Sequence, residues 1–234
     1  MQSADAAGHD PQWTVAPYLW MVGMNGSVSV HHTQAEVDAS FGDLLDNLDF
    51  ALMAHVECEL DKGGMFFDAY YSEFSEDADV AVQSVELSSQ LKLFEFGAFS
   101  RFLDRTLDAS SERHFKADAL AGVRYCELDN TIDFDAPGLQ NIDDGEWWVD
   151  SFVGARCQWD FAPAFALTAR GDVGGFGFGT ASDLAWQVQT LFCWRLSEGA
   201  TLGAGYRVLD IDRAQDIDTD MRLHGPVLGI ALRL

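Results

Sequence analysis

The chain has 234 residues, 48% hydrophobic and 12% aromatic, with 14 Lys and Arg against 38 Asp and Glu, a net charge of −24. That length can bury a sizeable core in one domain, and the aromatic content excludes a disordered acidic chain. Only three lysines occur (Lys62, Lys92, Lys116) and no basic patch, so the composition argues against a nucleic-acid partner.

The start, Met1-Gln2-Ser3-Ala4-Asp5, has neither a basic beginning nor an apolar stretch; it reads as a mature exported chain whose signal peptide is absent, although a cytosolic protein would start the same way. Residues 1–11 are read as a flexible segment and 12–234 as one domain. The uncharged run from Pro11 to Ala35 is broken by Pro17, Gly23, Asn25 and His31-His32, so it is no spanning helix. A short helix is expected next. Ser40 can cap it, Asp43 sits near its start, and Phe41, Leu44, Leu45 and Leu48 follow i, i+3, i+4, i+7.

From Phe50 onward the period is two. Phe50, Leu52, Ala54, Val56, Cys58 and Leu60 alternate with Ala51, Met53, His55, Glu57, Glu59 and Asp61, which is a strand with one apolar and one polar face. The pattern recurs over 115–125, 147–159, 165–173 and 184–196, with Lys116, Asp118, Arg124, Asp150, Arg156, Arg170 and Asp172 on the polar side. Strands are expected at about 12–22, 50–61, 65–75, 84–102, 114–128, 147–160, 164–176, 184–196, 201–212 and 221–234. That makes ten, or twelve if Ser27–Val30 and Glu36–Ala39 form a further hairpin. Short joints (Asp61 to Gly64, Ala162-Pro163, Ser197 to Gly199) alternate with long polar ones, as in an up-and-down antiparallel transmembrane barrel.

An alternating sheet suits two solvents. A soluble lipocalin-like carrier of an apolar ligand would point its apolar faces inward, whereas a membrane barrel turns them to lipid. Trp147, Trp148, Trp159, Trp186 and Trp194 near strand ends suit an interfacial girdle. The polar faces mix Arg with Asp and Glu and carry small residues (Gly122, Gly154, Gly174, Gly203, Gly205), which suits a narrow ionic lumen. The lumen set is then Glu57, Glu59, Asp68, Lys92, Asp118, Arg124, Asp150, Arg156, Arg170, Asp172 and Arg207. It is either a selectivity or ligand lining, or a salt-bridge network that fills the interior.

Several stretches look like one family: Ala16-Pro17-Tyr18-Leu19-Trp20, Ser40 to Phe50 (SFGDLLDNLDF), Trp148-Val149-Asp150, Arg170 to Gly177 (RGDVGGFG), Gly205 to Asp210 (GYRVLD) and His224 to Leu234 (HGPVLGIALRL). From Trp13 onward the chain resembles the small Gram-negative outer-membrane β-barrel proteins of porin-like appearance, most without an assigned activity. The resemblance implies an outer-membrane location, with lipid, lipopolysaccharide and the barrel-assembly machinery as partners, and it implies no chemistry.

No catalytic signature accompanies the acids: G-x-S-x-G, H-E-x-x-H and a P-loop are absent, so an enzyme, a cofactor and a metal centre are not expected. Cys58, Cys126, Cys157 and Cys193 form no C-x-x-C and read as small hydrophobes, with a disulfide as the alternative. Glu127–Glu146 carries seven acids, and Asp210, Asp212, Asp216, Asp218 and Asp220 crowd another loop. These are read as solvated acidic surface, with weak divalent-cation binding as the alternative.

Overall fold

Period-two alternation becomes twelve strands among the described residues of the computed structural model, which are 10–30, 33–39, 42, 48–80, 83–108, 113–134, 142–214 and 218–234. They are β1 (Gln12–Trp20), β2 (Gly23–Val30), β3 (Thr33–Ala39), β4 (Leu48–Leu60), β5 (Gly63–Val80), β6 (Gln83–Asp108), β7 (Arg113–Phe134), β8 (Ile142–Ala162), β9 (Phe165–Gly175), β10 (Leu184–Ser197), β11 (Ala200–Ala214) and β12 (Asp218–Arg233). Ten of them, β1 and β4 through β12, pair antiparallel with their neighbours, and β1 pairs β12 to close the ring. The expected extra hairpin exists as β2–β3, but it stands outside the ring and joins it only through β12. The predicted helix over Ser40–Leu48 lies outside the described residues apart from Gly42 and the start of β4.

The register sets the barrel's dimensions. One row of paired residues runs Val15, Val56, Phe67, Phe96, Val123, Ser151, Gly175, Leu184, Asp212, Asp220. Val15 itself pairs Leu232, twelve residues further along β12, so the shear number is 12 for ten strands. Such a shear tilts the strands by about 40° and leaves an interior that side chains can fill.

Exposure along the strands is inverted relative to a water-soluble protein. Phe96 is 55% exposed, Val153 52% and Leu52 57%, whereas Arg124 and Asp150 are 0% and Glu95 1%. The apolar faces therefore point outward and the polar faces into the lumen. Aromatic rings border the outer apolar band at both ends. Phe67, Phe94, Tyr125 and Trp147 stack in sequence across β5 to β8. Trp159, Phe161, Phe165, Phe192 and Trp194 cluster toward the short-turn end. From Trp147 to Trp159 on β8, and from Trp186 to Trp194 on β10, the tilted strands climb about 20–30 Å, the height of a lipid-facing band.

Trp148 departs from the expected girdle. It is 1% exposed and packs inside, because its neighbour Trp147 takes the outward position. Lys92 departs in the opposite sense. Leu91, Leu93 and Glu95 face the lumen, so Lys92 stands outside, where it bonds Glu127 Oε1 at 2.9 Å above the aromatic row. All four cysteines are free.

Candidate functional site in the barrel lumen

The lumen is divided along its axis. Its long-loop half is apolar: Trp20, Met53, Tyr70, Leu91, Leu93, Trp148, Leu209, Ile211 and Leu223 form one buried cluster. Met53 and Trp148 sit on faces otherwise read as polar, and Leu91 and Leu93 on a strand whose lumen face was expected to carry Lys92. Above the cluster the β9–β10 connection folds inward. Ser182 donates its backbone N–H to Asp150 Oδ1 (2.7 Å) and its hydroxyl to Asp150 Oδ2 (3.0 Å). Arg213 reaches the Thr180 carbonyl and pairs with Glu146. Gly175, Phe176, Gly177 and Gly179 have positive φ, which turns the chain sharply here, and it is Ala181 and Ser182 that tuck in. Asp150, expected in the ionic lining, thus holds a loop through neutral donors.

Below the apolar cluster lies a layer of buried ion pairs centred on Glu95. Its carboxylate accepts Arg124 Nε (2.9 Å) and lies 2.8 Å from Arg170 Nη2 and 3.2 Å from Arg207 Nη2. Asp172 accepts from Arg124 and Arg170. Asp68 accepts Arg207 Nη1 at 3.2 Å and the Tyr18 hydroxyl at 2.8 Å, with His55 Nδ1 3.2 Å away. Three guanidinium groups thus face three carboxylates, the balance that burial of charge demands. Each guanidinium also lies over a ring: Arg207 over Trp20 at 4.6 Å, Arg124 over Phe152 at 5.3 Å and Arg170 over Phe66 at 5.1 Å. Gly122 makes room for this: a Cβ there would come within 2.7 Å of the Phe152 ring and 2.4 Å of the Phe96 carbonyl.

A second ionic group sits toward the short turns. Arg156 donates to Asp118 (2.9 Å) and to both oxygens of Glu57, over the Phe99 ring. Arg101 donates to Asp118 (2.9 Å) and Glu59 (2.7 Å). Asp68, Arg124, Arg170, Asp172 and Arg207 therefore meet in one layer, and Glu57, Asp118 and Arg156 in another. Sequence reasoning missed Glu95, the hub. Its signal was present, a lone acid between the outward Phe94 and Phe96. Among the described residues no group of three or more His, Cys, Asp or Glu could hold a metal ion.

Between the two ionic groups, against β10, β11, β12 and β1, lies a cavity of about 340 Å³. It exists because that wall carries small residues (Ala16, Gly203, Gly229, Ala231) opposite the long side chains of β4 to β8. At its short-turn rim stand Lys116, Thr201 and Arg233, and Tyr18, Arg170 and Arg207 form its floor.

An inverted, closed ring of ten tilted strands with an ion-paired interior is the architecture of an outer-membrane β-barrel. No protein-family model matches the chain, and no curated protein is similar to it in sequence. Among solved structures it is similar in fold to the outer membrane protease OmpT from Escherichia coli, with a TM-score of 0.53 at 6% identity over 96% of this chain and 97% of that one. Ail, the attachment invasion locus protein of Yersinia pestis, aligns over 96% of this chain and 98% of its own at 10% identity, with a TM-score of 0.40. Neisserial surface protein A aligns over 96% and 99% at 11% identity, with a TM-score of 0.33.

Proposed function

We propose that this chain is a sealed barrel of the Gram-negative outer membrane, with a structural rather than a porin role. The observation that carries this reading is the layer of Glu95, Arg124, Asp172 and Arg207, each no more than 7% exposed, backed by the apolar cluster above it. An ion entering from the short-turn side would have to break a charge-balanced network and then cross the buried apolar cluster. The outward apolar band supports the membrane location and weighs against a soluble lipocalin-like carrier, which would bury that face. Outer-membrane lipid, lipopolysaccharide and the barrel-assembly machinery are then its partners, and the acidic loops offer weak sites for divalent cations.

The test is conductance. Purified protein in planar bilayers should show little or no current. Large, stable channels in the unmodified protein would replace this reading with a porin. Truncating Arg156 and Arg170 should widen the cavity and still leave the bilayer sealed, because Arg124, Glu95 and the apolar cluster stay in place.

A further inference from the structure

The blind cavity has a charge sign that the rest of the chain does not share. Its lining contains six Arg and Lys against four Asp and Glu, within a protein of net charge −24. The four carboxylates, Glu57, Glu59, Asp68 and Asp118, are each taken up by an arginine. Two cations remain at the rim. Among the described residues Lys116 reaches only Glu59, at 4.0 Å, and that carboxylate is already held by Arg101 at 2.7 Å. Arg233 makes no ion pair among the described residues. The two stand on β7 and β12, five strands apart and so half-way round the ring.

The other wall has a different chemistry. Leu191, Cys193, Val227, Ala16, Gly203 and Gly229 line a trough without charge. Walls of low dielectric strengthen the field of the rim cations, and uncharged walls accept an apolar body. A volume of about 340 Å³ lies at the small end of small-molecule sites, which run from about 300 to 1,000 Å³. We propose that the cavity binds a small amphipathic anion, a monocarboxylate with a short apolar body, entering from the short-turn side. Its carboxylate would sit at the rim between Lys116 and Arg233, and its body would lie in the trough beside Leu191 and Gly203. The proposal does not depend on the barrier to conduction, since the site lies wholly on one side of the Glu95 layer.

Gly203 supplies a steric test. A Cβ at this position would meet only Leu191 Cδ1 at 3.8 Å and the Gly229 carbonyl at 4.0 Å, ordinary contacts, so a larger side chain can occupy the cavity without moving backbone. The folded barrel in a non-ionic detergent is titrated with octanoate, octylammonium, octanol and acetate by calorimetry. The Gly203→Leu variant in the same micelles subtracts partition into detergent. Octanoate should saturate one site and bind about tenfold or more tighter than octylammonium or acetate. Gly203→Leu should weaken it by a similar factor. The double variant Lys116→Gln, Arg233→Gln changes two partly solvated rim residues, so it tests the charge even if Gly203→Leu fails to fold. It should bring octanoate and octanol within about two- to threefold of each other. Equal binding of octylammonium and octanoate, no saturable octanoate binding, or an affinity unmoved by the rim variant would each overturn the proposal.

Discussion

The two halves of the lumen solve one packing problem in opposite ways. Toward the long loops, Trp20, Trp148, Leu209 and Leu223 pack to 0–1% exposure, as in the core of a water-soluble protein. Toward the short turns, Arg101, Arg156, Glu57 and Glu59 fill half the section with ion pairs and leave a cavity in the other half. The Glu95 layer is the boundary. The contrast shows that a polar lumen face is not uniformly polar. Where large apolar residues fall inward, the barrel closes by hydrophobic packing, and where arginines meet small residues it stays hollow.

The sharpest way to break this comparison is at the boundary itself. Glu95→Ala leaves Arg124, Arg170 and Arg207 short of a carboxylate in a buried site and should cost about 3–5 kcal/mol. Glu57→Ala, in the half next to the cavity, should cost less because water can reach Arg156. Urea unfolding in lipid vesicles measures both, and equal losses would mean that the two ionic groups are equally buried.

A pair of leucines sharpens the same contrast. Leu209→Ala opens a hole in the sealed cluster and should cost about 2–5 kcal/mol. Leu191→Ala only enlarges an existing cavity and should fall near the bottom of that range or below it. The ratio of the two losses, read from the same unfolding curves, reports how tightly each half is packed.

The smallest effect belongs outside the lumen, where Lys92 and Glu127 pair above the aromatic row. The hydrogen bond from Lys92 holds the Glu127 carboxyl below its ordinary range, and the bond to Glu127 raises the Lys92 ammonium. A depressed carboxylate stabilises above its unfolded pKa of about 4.3 and loses that contribution as pH falls. Lys92→Gln should therefore cost no more than about 1 kcal/mol at neutral pH. The difference from the unmodified protein should fade on acidification and with added salt. A deficit that persists at low pH would point to packing rather than charge.

Much of this was legible in the residues. Phe50 to Leu60 show their two faces by alternation alone, because a strand turns each successive side chain to the opposite side. Short joints such as Asp61-Lys62 announce up-and-down neighbours, and the sequence placed Asp68, Arg124, Arg170 and Arg207 inside without any knowledge of their partners. What it could not do was settle β6, where Lys92 rather than Glu95 reads as the lumen residue until the strand has a register. Nor could it find that Glu95 joins three arginines from β7, β9 and β11, because parity names a face and not a height. Height depends on the shear of 12, which is a property of the closed ring and of every strand pair at once. Local alternation therefore determined the strands, their faces except on β6, and the charge of the lumen. Only closure decided which half of that lumen is packed and which is hollow.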